Sequence, residues 1–145
     1  MKALLDTNII IHREARTVVK QDIGILFRWL DRAKYIKCIH PVTIQEIKKN
    51  PNTDTVRNFM TKIESYEHLE LPTPLQEPVE QISKKIDVTE NDYNDTLLLN
   101  EVFAGRVDIL ITEDKKMHDK ASLLNIADKV FRLRESGNFK LILNY

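Results

Sequence analysis

Five short apolar runs, each about the length of a buried strand, alternate with stretches whose apolar residues recur at helical spacing. No other feature of the chain constrains its fold as much. Strands that alternate with helices imply a mostly parallel sheet, right-handed crossovers and helices on both faces. The expected fold class is therefore α/β, a three-layer α/β/α sandwich. In such a sheet, ligands bind in the crevice beyond the carboxyl ends of the strands. The first run, Ala3-Leu4-Leu5, stops abruptly at Asp6-Thr7-Asn8, which puts a carboxylate where chemistry would be.

The remaining elements follow in order. After Asp6 the apolar character continues through Ile9-Ile10-Ile11, and Val18, Val19, Ile23, Ile25, Leu26, Trp29 and Leu30 then mark an amphipathic helix ending near Ala33, with Gly24 as its weak point. Residues 35–40 read as the second strand. Pro41 stands at the first position of a helix carrying Val42, Ile44, Glu46 and Ile47. A third helix is expected over 53–66 and a third strand over 69–71. The prolines at 72, 74 and 78 make a connecting loop into a helix over 79–86. Thr89 caps the next helix, which runs through Leu97, Leu98, Leu99, Val102 and Phe103 to a stop at Gly105. Residues 107–111 are the most strand-like run of all and end, like the first, in an acid: Thr112-Glu113-Asp114. A helix over 115–126, a last strand over 129–133 and an apolar tail over 139–143 complete the chain.

With 145 residues the chain suits one domain, 1–145, with a real core. Lysine plus arginine and aspartate plus glutamate both number 22, so the formal net charge is zero. A globally basic nucleic-acid-coating protein is excluded, although a local basic face is not. Cys38 is alone, which rules out an intramolecular disulfide and marks it as an ordinary buried thiol. The N-terminus enters the first strand without a signal-peptide pattern, and no apolar run is long enough to span a bilayer. A soluble cytoplasmic protein without membrane partners is expected.

Four acids occupy telling positions. Asp6 and Asp114 follow the two clearest strands, and Glu46 and Asp95 lie near helix starts. Leu98, Leu99 and Val102 follow Asp95 by one and two turns, so its carboxylate lies along an apolar stripe. Taken singly, Asp6 and Asp114 also suit helix caps or turns, and Glu46 a solvated helix face. Asp92 stands three residues after Thr89, the spacing of a capping box, which favours a structural role for it. Carboxylates converging at one crevice repel each other unless a cation lies between them, and an all-oxygen donor set suits Mg²⁺ or Mn²⁺ rather than zinc.

Three stretches, Leu4-Leu5-Asp6-Thr7-Asn8, Asp92-Tyr93-Asn94-Asp95-Thr96-Leu97-Leu98-Leu99 and Ile109-Leu110-Ile111-Thr112-Glu113-Asp114, resemble in this order the main motifs of PIN domains. Thr43-Ile44-Gln45-Glu46-Ile47 is similar to the segment carrying that family's glutamate. The resemblance implies a five-stranded sheet of order 3-2-1-4-5 and a metal-dependent ribonuclease, similar to the virulence-associated-protein-C type toxins of bacterial toxin–antitoxin systems. It makes Asp6, Glu46, Asp95 and Asp114 the Mg²⁺- or Mn²⁺-binding acids, Asp92 an additional ligand candidate, and Asn8 and Thr112 supporting polar residues. Thr96 departs from the family, many members of which carry a small alanine there. The implied partners are RNA, an antitoxin protein and a second copy of the chain.

No serine, cysteine or histidine set has the context of a nucleophile, so water activated by metal is the expected attacking group. Lys115, Lys116, His118 and Lys120 follow Asp114 directly and read either as a phosphate-gripping face or as a solvated one. His12 and Arg13 are weaker candidates for that role, and His40 and His68 look structural. Haloacid-dehalogenase-like phosphatases need a second aspartate where Asn8 stands. A receiver domain needs an acceptor aspartate where Leu71-Pro72 stand. The open alternative is a non-catalytic PIN-like module that binds RNA or protein.

Overall fold

The computed structural model describes residues 1–14 and 21–133. Its sheet has five parallel strands: β1 (Lys2–Leu5), β2 (Ile36–Ile39), β3 (Glu67–His68), β4 (Ile109–Ile111) and β5 (Val130–Phe131). Their order is β3-β2-β1-β4-β5, the 3-2-1-4-5 arrangement expected from the resemblance. Among the described residues, seven α-helices lie between the strands: α1 (Thr7–Glu14), α2 (Gln21–Arg32), α3 (Pro41–Lys48), α4 (Thr53–Lys62), α5 (Glu77–Ile86), α6 (Glu90–Phe103) and α7 (Lys115–Leu123).

Alternation along the strands divides the core into two. Ala3 and Leu5 point to one face with Ile109 and Ile111, where Ile9, Ile10, Ile23, Leu26, Leu30, Phe59 and Ile63 cover them. Leu4 points to the other, in register with Cys38 and Leu110, under Val79, Leu98, Leu99, Val102, Met117 and Ala121. A strand buried on both faces needs an unbroken apolar run, which is why Ala3-Leu4-Leu5 shows no polar alternation. The lone thiol of Cys38 is fully buried, and burial pushes its pKa up to about 12.

Several boundaries differ from those the sequence suggests. Ile9-Ile10-Ile11, to which the sequence assigned no element, lies in α1, where the Asp6 carbonyl accepts from the Ile9 and Ile10 amides. The third strand falls on Glu67–His68 rather than 69–71. Leu69 donates one bond to the Ile39 carbonyl and is buried, but Leu71 is 74% exposed. Helix α7 stops at Leu123, three residues short of expectation, since Asn125 turns the chain at φ 59°. Gly105, at φ 78°, ends α6 as expected; its amide bonds the Val102 carbonyl and that of Arg106 bonds the Glu101 carbonyl. Val18, Val19 and the apolar tail over 139–143 lie outside the described residues.

Candidate active site

Strands β1 and β4 are neighbours whose connections leave in opposite directions, so their carboxyl ends flank the switch point of the sheet. Asp6 lies one residue beyond β1, its amide bonded to the carbonyl of Ile111, the last residue of β4. Around this point Asp6, Thr7, Asn8, Glu46, Asn91, Asp95 and Asp114 line an open cavity of about 220 Å³. All four acids singled out in the sequence thus face one space, together with Asn8. Among the described residues no three Asp, Glu, His or Cys side chains close into a ready-made coordination sphere; the carboxylates ring the cavity instead.

Each acid is held by a local device. Asp6 is buried; one carboxylate oxygen accepts from the Thr7 amide at 2.7 Å and the other from the Thr112 hydroxyl at 2.7 Å. That hydroxyl also accepts from the Asp114 amide at 3.1 Å, so Thr112 couples the two strand-end acids. Asp114 caps α7, one oxygen accepting from the Lys116 amide at 2.8 Å. Asp114 is therefore a helix cap that also lines the cavity. Glu46 comes from α3, its carboxylate 3.4 Å from the Thr7 hydroxyl, which meets the Thr43 hydroxyl at 2.9 Å. Asp95 enters from the second turn of α6, the helix whose apolar stripe packs on the sheet.

The electrostatics fit mutual repulsion in a partly dry site. Burial, followed by the charges of Asp6 and Asp114, pushes the Asp95 carboxyl up to about 7, against a pull downward from Lys120. Asp6 is raised by burial, with the bonds from Thr112 and Thr7 working against it. Glu46 is raised by burial and then by the charge of Asp6. Three carboxyls raised in this way, Asp6, Glu46 and Asp95, gathered with Asp114 around one cavity, fit a hard divalent cation, whose charge would remove both burial and repulsion costs.

Other candidates lie elsewhere. Asp92 is not one of the cavity acids. It closes the capping box of α6, accepting from the Val88 and Thr89 amides at 3.0 and 3.1 Å, and these bonds hold its pKa below the usual range. Lys120 does not grip a surface ligand: it is buried, its ammonium 2.6 Å from Asp87, 2.8 Å from the Asp92 carbonyl and 3.1 Å from the Thr96 hydroxyl. Thr96 in turn donates to Asp87 at 2.5 Å, which gives the departure from alanine a structural purpose. His118 bonds the Thr112 carbonyl at 2.8 Å and braces the turn between β4 and α7. Lys115 and Lys116 are exposed on the first turn of α7. Arg13 lies over the Phe27 ring, one to two turns of α1 beyond the cavity. His40 caps α3 and His68 bonds the Ile63 carbonyl, both structural as expected.

Thr7, Thr43 and Asn91 escaped the sequence reading. Thr7 was visible, one residue after Asp6 at a helix start, where a hydroxyl points back over the strand end. Thr43 and Asn91 carry no pattern that separates them from any helix residue.

A 3-2-1-4-5 parallel sheet with acids gathered at its switch point defines a class of proteins built around an acidic cavity. The sequence model of the PIN domain matches residues 2–116, and the chain belongs to the PIN domain family. The structure of FitAcB from Neisseria gonorrhoeae is similar in fold, with a TM-score of 0.51 at 17% identity over 92% of this chain and 99% of that one. No curated protein matches the sequence.

Proposed function

We propose that this protein is a Mg²⁺- or Mn²⁺-dependent endoribonuclease that hydrolyses RNA phosphodiester bonds. The observation that carries the reading is the placement of Asp6, Glu46, Asp95 and Asp114 around one cavity at the switch point of the sheet. These four carboxylates would hold the metal, which when bound supplies Lewis acidity to activate water and to neutralise charge on the scissile phosphate. Thr112 fixes the Asp6 carboxylate, and Thr7 orients that of Glu46. Asp95, with its carboxyl raised to about 7, is only partly ionised in the metal-free site at neutral pH, and a cation held there would draw off the remaining proton. Lys115 and Lys116, exposed beside Asp114, attract the flanking phosphates. An antitoxin protein and a second copy of the chain, implied by the resemblance to toxins of this family, belong to the same proposal.

Cleavage of a mixed pool of structured and unstructured RNAs, with Mn²⁺ or with EDTA, tests it. Cutting is expected with Mn²⁺ alone, and Asp114→Asn and Asp95→Asn each abolish it while the protein stays folded. RNA that is bound across the pool but never cut overturns the enzymatic reading in favour of a binding module.

A further inference from the structure

A second cavity, of about 140 Å³, adjoins the acidic one and is bounded by α1, α3 and α4. Ile11, Ile47, Val56 and Phe59 give it apolar walls, and Asn50, Thr55 and Glu46 its polar ones. Glu46 lines both cavities, so the two are neighbours across a single side chain. Apolar cavities of about 150 Å³ take up a benzene-sized ring. A ring bound here would stand next to whatever the four acids hold.

Asn50 adds a chemical preference. The Asn52 amide donates to its side-chain oxygen at 2.9 Å, which fixes the amide orientation and leaves the NH₂ group as the end available to a ligand. A donor at the rim of an apolar slot favours a ring bearing a carbonyl and disfavours one presenting an amino group at that point. Unpaired bases of single-stranded RNA are read in this way, by apolar or aromatic contact with the ring and hydrogen bonds to its edge.

We propose that this cavity receives the nucleobase adjacent to the scissile phosphate and that Asn50 selects a keto base, uracil or guanine, over cytosine or adenine. The proposal rests on the nuclease reading for the identity of the neighbouring group, but binding tests it independently of cleavage. Short single-stranded oligonucleotides of uridine, of adenosine and of an abasic backbone are titrated against the full chain carrying Asp114→Asn, alone or with Val56→Phe or Asn50→Asp. Val56→Phe fills the cavity. Asn50→Asp keeps the acceptor for the Asn52 amide and removes the donor. Uridine is expected to bind about tenfold more tightly than adenosine or the abasic chain, corresponding to about 1.4 kcal/mol. Both substitutions should erase that margin, while the Mn²⁺-induced rise in Tm of otherwise unsubstituted protein is the same with and without them.

Uridine and abasic chains bound equally by the Asp114→Asn protein would overturn the proposal, whether or not the parent cuts RNA. So would a uridine preference that survives both substitutions, which would leave the cavity to some other occupant, such as an apolar side chain of a protein partner. Base-dependent binding lost in both variants, from a protein that cuts no RNA, would uphold the pocket and remove the nuclease reading.

Discussion

At the scale of single residues, Asp6, Glu46 and Asp95 are acids whose ionisation is suppressed by burial and by neighbouring carboxylates. Asp95 has a folded-state pKa of about 7 against an ordinary value of 3.8. Between these two values the folded metal-free protein binds more protons than the unfolded chain, so its stability falls as pH rises through that window and levels off above it. Thermal unfolding in EDTA at pH 5 and pH 8 should show the decline, and Asp95→Asn should flatten it and raise Tm at pH 8. An equal decline in parent and variant would place the titrating group elsewhere. Thr112 acts through its neighbours, since its hydroxyl serves the buried Asp6 carboxylate and the Asp114 amide together. Thr112→Val leaves both without that partner and should cost about 1–3 kcal/mol in denaturant unfolding, with Thr112→Ser restoring most of it. A loss in the Ser variant without one in the Val variant would point to packing of the methyl group instead.

At the scale of elements, the basic first half of α7 divides into two functions. Lys120 ties α7 to Asp87, just after α5, and to Thr96 on α6, while Ser83 completes the set by donating to Asp87 at 2.7 Å. Breaking a buried pair leaves an uncompensated charge, so Lys120→Met should destabilise by about 3–5 kcal/mol. Lys115→Ala and Lys116→Ala, on the exposed face, should shift stability by no more than about 0.5 kcal/mol. Their expected effect is on RNA: weaker binding and a salt dependence flatter by about one unit of slope each. Titration at several salt concentrations distinguishes the two groups. Loss of RNA affinity in the Lys120 variant alone would reverse the assignment.

At the scale of the whole molecule, folding itself assembles the cavity, because β1, β4, α3 and α6 each deliver one acid to it. A cation held only by the folded state stabilises by mass action, about 2.7 kcal/mol at a hundredfold excess over its Kd. Mn²⁺ should therefore raise Tm, and Asp6→Asn should lose most of that rise while gaining stability in EDTA. Equal Mn²⁺ shifts in parent and variant would show that the ion binds outside this cavity.

The sequence by itself determined the layers and the principal acids. Doubly buried strands must be short and apolar, so Ala3-Leu4-Leu5 and Ile109-Leu110-Ile111 announce a covered parallel sheet, and Asp6 and Asp114 stand out where those runs break. Asp95 was legible because helical periodicity lines it up with Leu98, Leu99 and Val102, which are buried in α6. Other features depend on distances between segments far apart in the chain. The two-residue strand β3 exists only through its register with Cys38 and Ile39, and the helical state of Ile9-Ile10-Ile11 only through the turn at Asp6. Lys120 looks like its exposed neighbours in sequence and is buried solely because Asp87 and Thr96 meet it from other elements. Periodicity reports which way a side chain points along its own element. Whether a charge there meets solvent, a partner or other carboxylates is decided by the packing of elements against one another, and only the tertiary structure holds that.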